Sequence, residues 1–186
     1  MNTNNGKKIL VIVDAQNDFV SGTLGSGMAE SAMDNIVKKI SKHGNEYDMI
    51  IFTRDIHFEN YMETLEGKKL PVLHCQKGSK GSMIVERVWN AVSELKKNGK
   101  RVRTFDKHTF GSRELVDYLA TVCTRKDTIE FCVVCTDICV VSNVICLRAA
   151  LPNNTIVVDA KCCAGVTEEN HNAALVTMAS CQIEIV

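Results

Sequence analysis

Six short runs, spaced along the chain with helical periodicity between them, constrain the fold more than any single motif. Lys8–Val13 (KILVIV) and Thr128–Val134 are apolar or β-branched almost throughout, as strands buried on both faces of a sheet are. Asp48–Thr53 (DMIIFT), Thr155–Val158 and Gln182–Val186 read as further strands, and the more polar Arg101–Phe105 as one at a sheet edge. Between them, Met33, Ile36, Val37 and Ile40 share one helical face. Val85, Val88, Trp89, Val92 and Leu95 share another, which predicts Trp89 in the core and a helix end at Asn98-Gly99. Leu115, Tyr118, Leu119 and Val122 mark a third helix, and Thr167 caps a last one with Glu168 and Glu169 in its first turn. Strand and helix alternate throughout. That order predicts a three-layer α/β/α, Rossmann-like fold around a six-stranded, mostly parallel sheet.

The 186 residues suit one domain spanning residues 1–186, with 1–7 expected as a flexible tail. Basic and acidic residues balance at 22 each, which points away from nucleic acid and anionic membrane and toward a small neutral partner. No stretch approaches the length of a membrane span, and Met1–Lys8 has no apolar core for a signal peptide. Nine cysteines, several in apolar segments, fit a reducing compartment rather than a disulfide framework, so a cytoplasmic location is expected. The sequon Asn153-Asn154-Thr155 is then a chance match.

In parallel sheets, sites lie beyond the carboxyl ends of the strands. Here those ends carry Asp14, then Asp55 and His57, then Lys107, then Cys139. Thr136 reads as a helix N-cap, which would put Cys139 in a first turn where the dipole favours thiolate. A cysteine nucleophile needs a proton acceptor and positive charge, roles open to Asp14 and Lys107. The backbone N–H groups of Cys135 and Cys139 are candidates for an oxyanion hole. Together these parts predict acyl transfer from a small amide. Residues 15–27 are glycine-rich but lack phosphate-loop and dinucleotide spacing, and the aperiodic Phe58–Lys80 stretch reads as a functional loop. Cys132 and Cys135 have C-x-x-C spacing inside a strand, which disfavours redox chemistry, and His171 reads as an exposed helical residue.

Asp14-Ala15-Gln16-Asn17-Asp18-Phe19, Lys107 with Thr109-Phe110-Gly111-Ser112, and Thr136-Asp137-Ile138-Cys139-Val140 resemble, in order, the three signatures of the isochorismatase-like cysteine hydrolases. The resemblance implies a catalytic triad of Asp14, Lys107 and Cys139 and a cis peptide at Val134–Cys135. Asp55-x-His57 followed by His74 resembles the metal site of the nicotinamidase branch, which implies nicotinamide hydrolysis, a place in NAD metabolism and a divalent transition metal: zinc first, with iron or manganese as alternatives. The third histidine of many nicotinamidases is missing, and Glu66 is the first choice for its place, Glu63 the second. The tryptophan that often precedes the last metal histidine is also missing, leaving Phe19 as the aromatic wall. A homo-oligomer is expected. The alternatives are a metal-free relative acting on isochorismate or a carbamoyl or ureido compound, and a non-catalytic redox-sensing or binding protein.

Overall fold

The computed structural model describes residues 6–186. Its strands are β1 (Lys8–Val13), β2 (Met49–Asp55), β3 (Arg101–Lys107), β4 (Thr128–Val134), β5 (Thr155–Ala164) and β6 (Glu184–Ile185). All pairings are parallel, in the order β3-β2-β1-β4-β5-β6. The helices are α1 (Asn17–Val20), α2 (Gly27–His43), α3 (Leu65–Lys69), α4 (Glu86–Lys97), α5 (Arg113–Val122), α6 (Val141–Ala150) and α7 (Glu168–Ser180). Right-handed crossovers running outward in opposite directions from β1 and β4 put α2 and α4 on one face and α5, α6 and α7 on the other. Of the tail expected over residues 1–7, residues 1–5 lie outside the described residues. Lys7 is tied down: its N–H donates to Asp127 Oδ1 at 2.7 Å.

Local chemistry explains the helix limits. Ser26, Ser112 and Thr167 accept backbone N–H groups at the starts of α2, α5 and α7. Gly99, at φ +87°, supplies the left-handed residue that stops α4. From β1, residues Ile9–Val13 are entirely buried, whereas edge strand β3 buries only Lys107.

Several sequence expectations need correcting, among them the strand expected over Thr155–Val158, which runs on to Ala164, and the one over Gln182–Val186, which shrinks to Glu184–Ile185. Strands β2 and β3 run two residues further than their apolar runs, held by Arg54 Nε and Nη2 donating to Asp106 at 2.8 Å, so Asp55 and Lys107 pair in the last rung. Trp89 is 38% exposed and leans on Phe52, because α4 covers the outer part of the sheet, where no strand lies beyond β3. The segment 58–80 is not one open loop; it holds a 3-10 turn (Tyr61–Glu63) and α3. No helix among the described residues is long and apolar enough to cross a membrane.

Candidate active site

The strand order reverses between β1 and β4, and the site lies across that point, where crossovers diverging to opposite faces leave a crevice. Asp14 leaves β1 at φ +50° and is fully buried. Thr53 Oγ1, on β2, donates to Asp14 Oδ1 at 2.7 Å. Asp14 Oδ2 sits 2.7 Å from Lys107 Nζ, its one ionic partner among the described residues. The same Nζ stands 3.6 Å from Cys139 Sγ and 3.5 Å from Asp55 Oδ1. One ammonium therefore touches the ends of three other strand units.

Burial governs the protonation of this group. It raises Asp14 above the ordinary carboxylate range, with Lys107 only partly offsetting it. Burial, then the Asp14 charge, also pushes the Cys139 thiol well up, against the pull of Lys107. For Lys107, burial alone would lower the pKa; the Asp14 carboxylate and then Cys139 and Asp55 outweigh it and keep the amine charged. At rest the amine is thus charged and the thiol neutral. The helix-start expectation of a standing thiolate does not hold, because burial beside Asp14 outweighs the dipole.

The turn bearing Cys139 differs from the predicted cap. Val134–Cys135 is cis, as the resemblance implied. Residues Thr136–Val140 form a π-helical turn in which Ile138 and Val140 N–H groups donate to Cys135 O, while the Cys135 N–H donates to no protein acceptor among the described residues. The Thr136 hydroxyl caps nothing; it is paired with His171 Nδ1 at 2.8 Å, so His171 is half-buried under the turn rather than on a free helical face. Asn143 Nδ2 donates to Cys139 O at 2.7 Å while its Oδ1 accepts the Ser112 N–H at 2.9 Å.

Beside this group, Asp55, His57, Glu66 and His74 turn one donor atom each inward, all within 4.8 Å of one another. His57 Nε2 is 2.8 Å from Asp55 Oδ2 and 3.6 Å from Glu66 Oε1; His74 Nε2 is 3.5 and 3.8 Å from the same two oxygens. His74 donates Nδ1–H to the Val72 carbonyl at 2.8 Å, which aims Nε2 at the carboxylates. Burial would lower the His74 pKa, yet its bond to Asp55 and the nearby carboxylate charge raise it. Asp55 is itself held well below the ordinary range: burial opposes this, but His57, His74 and Lys107 outweigh it. Two carboxylates and two imidazole nitrogens facing a common centre could hold a metal ion, and this donor set fits a transition metal. Glu66, the first choice, is in the group; Glu63 is exposed on the neighbouring turn. Cys75 lies outside it.

Both halves open on a cavity of about 430 Å³. Asp55, Glu66, His74 and Cys139 line its reactive end, and Phe19, Leu24, Leu70, Phe110, Ile138 and Val166 much of the rest. The Phe19 ring is part of this lining and meets His74 edge-on at 5.6 Å. Away from the reactive end the lining contains no charged side chain.

A model of the Isochorismatase domain matches residues 8–186. The chain belongs to the isochorismatase family. No curated protein matches it. Among solved structures it is similar to the pyrazinamidase/nicotinamidase of Streptococcus mutans, with 27% identity over 97% of this chain and 100% of that one and a TM-score of 0.83. It is also similar to the nicotinamidase/pyrazinamidase of Bacillus subtilis (23% identity, 97% and 99% covered, TM-score 0.82). The pyrazinamidase of Pyrococcus horikoshii, solved in complex with zinc, shares 21% identity over 97% of this chain and 98% of that one, with a TM-score of 0.74. The isochorismatase-like fold, a parallel sheet between helical layers, is thereby established, and with it a hydrolase.

The sequence reading missed Thr53, Asn143 and His171 as partners of this site. Thr53 ends an apolar run beside Asp55, which was a usable signal. The other two lie on helices, and only the folded chain shows what they touch.

Proposed function

We propose that this isochorismatase-family hydrolase cleaves a small uncharged carboxamide, nicotinamide or a close analogue, through a thioester on Cys139. The observation that carries the reading is Lys107 Nζ, 2.7 Å from Asp14 Oδ2 and 3.6 Å from Cys139 Sγ, with Cys139 lining a cavity that is uncharged beyond its reactive end. Moving the thiol proton to Asp14 exchanges one buried anion for another beside the same ammonium, so net charge is unchanged and burial does not oppose the step. The raised Asp14 makes it the stronger base for that transfer. The thiolate attacks the carbonyl carbon, and the oxyanion meets the N–H groups of Cys135 and Cys139. Asp14 returns the proton to the nitrogen, ammonia leaves and a thioester remains. Water then attacks with Asp14 taking its proton; the C–S bond breaks, the acid departs and the thiol is reprotonated.

Asp55, His57, Glu66 and His74 would hold the metal, zinc in this reading, which when bound supplies a Lewis-acid position for a ring nitrogen or water. Phe19 would stack the ring against the reactive end. An isochorismate or carboxylated carbamoyl substrate is disfavoured because its carboxylates would meet no cation in the distal lining. A redox sensor is disfavoured too, since a buried thiol with a raised pKa reacts slowly with oxidants.

The test is ammonia release from a panel of neutral and carboxylated amides, with and without a chelator. Nicotinamide-like amides should be hydrolysed and the carboxylated ones spared, chelation should lower the rate, and Cys139→Ala should abolish it. Hydrolysis that survives Cys139→Ala would refute the mechanism.

A further inference from the structure

Asp18 stands outside the triad, the four-donor group and the cavity, yet it reaches the backbone between two of the candidate ligands. Its Oδ2 accepts the Cys75 N–H at 2.7 Å. Cys75 is the residue after His74, is fully buried and holds φ at +45°, a left-handed conformation that a residue with a Cβ adopts only when its surroundings enforce it. The other end of Cys75 is fixed as well: its carbonyl accepts the His57 N–H at 3.0 Å, and the His57 carbonyl accepts the Lys77 N–H at 2.8 Å. One residue therefore couples the main chains of His57 and His74, and a carboxylate holds it in place.

Asp18 is in turn locked. Its N–H donates to Gly81 O at 3.1 Å and its carbonyl accepts the Leu24 N–H at 2.9 Å. A Cβ on Gly81 would lie 2.0 Å from Asp18 Oδ2, so the absence of a side chain there is what leaves room for the carboxylate. Two residues earlier, Gln16 clamps a third ligand in the same manner: its Oε1 accepts the Asp55 N–H at 2.7 Å and its Nε2 donates to Asp55 O at 2.8 Å. The segment leaving β1 thus delivers Asp14 to the nucleophile, Gln16 to the Asp55 backbone and Asp18 to the His57–His74 pair.

We infer that Asp18 is a positioning residue for the metal centre, acting through the left-handed Cys75 to set the separation of His57 and His74. The inference rests on the metal reading of Asp55, His57, Glu66 and His74, and its test does not use activity. Metal-free protein is titrated with zinc against a chromogenic chelator, as wild type, Asp18→Ala and Asp18→Asn, with thermal unfolding of each metal-free protein as a control for folding. Outer-shell partners of metal ligands typically contribute about 10- to 100-fold in affinity. Asp18→Ala should lose zinc affinity in that range, and Asp18→Asn, which keeps an oxygen to accept the Cys75 N–H, should recover most of it while both unfold cooperatively. Equal affinity in wild type and Asp18→Ala, or equal losses in both variants, overturns the inference and leaves the metal centre standing. A wild type that binds no zinc overturns both.

Discussion

Replacing Lys107 with methionine tests the charge logic of the site. Methionine fills much of the lysine volume, so the main change is loss of an ammonium 2.7 Å from Asp14 Oδ2 and 3.5 Å from Asp55 Oδ1. At an effective dielectric constant of about 20 those separations correspond to attractions of roughly 6 and 5 kcal/mol before desolvation is counted. Removing one partner of a buried pair costs about 3–5 kcal/mol net. Asp14 has an escape, since it can take up a proton, and that limits its share of the penalty. From its ordinary value of 3.8, neutralising it costs about 1.6 kcal/mol at pH 5 and about 6 kcal/mol at pH 8. The folded pKa of Asp14 already lies above the unfolded one in the wild type, and loss of the ammonium raises it further in the variant. The folded state then binds the proton more tightly, and stability falls as pH rises from 3.8 toward the folded value, by up to about 1.4 kcal/mol per pH unit. Urea unfolding of chelator-treated protein should therefore show Lys107→Met destabilised by about 3–5 kcal/mol at pH 8 and by less than about 2 at pH 5. A deficit that is the same at both pH values, or below about 1 kcal/mol at pH 8, would refute the claim that Lys107 favours the ionised form of the buried Asp14 carboxyl.

Thr53→Val removes the hydroxyl that donates to Asp14 Oδ1 at 2.7 Å; urea unfolding should show a loss of about 1–3 kcal/mol, with amide hydrolysis falling alongside. His171→Ala releases Thr136 from its tether at 2.8 Å, so kcat should drop about tenfold or more with KM little changed, as expected when oxyanion donors are misplaced; a rise in KM at constant kcat would show that the tether serves substrate binding instead. Gly67→Ala puts a Cβ 2.1 Å from the Tyr61 carbonyl oxygen, which must displace α3 and Glu66 with it. Zinc affinity should fall by at least about tenfold, by the loss typical of disturbed ligand support.

The sheet was legible because most of its strands contain short apolar runs, and Asp14, Lys107 and Cys139 could be placed by counting strand ends, although β5 runs on past Asp159 and Lys161 to Ala164. Lys107 and Asp55 were nonetheless put just past their strands, because ladder pairing stabilised by Arg54 and Asp106 leaves no trace in hydrophobic periodicity. Glu66 was found from a short list of acids in one loop, whereas its backing, the close approach of Gly67 to Tyr61, depends on a contact across that loop's own fold. His171 and Asn143 were misread or passed over for the same reason. Each is 4 to 35 residues from the atom it holds, and a helix's amphipathic pattern reports burial, not which polar group a buried side chain meets.

The position of β1 in the sheet also bears on how the chain is made. Its two neighbours are β2, close behind it, and β4, whose Thr128 pairs with Lys8 across 120 residues. At about 5–20 residues per second, a ribosome takes roughly 6–24 s to produce that partner. For that interval the nascent chain holds an apolar strand, Ile9 to Val13, with one edge unpaired. Arg101 and Arg103 guard the finished sheet on the β3 side; the growing sheet has no such guard at β1. Yield at high expression should therefore depend on translation speed and chaperone supply more than on the stability of the finished fold.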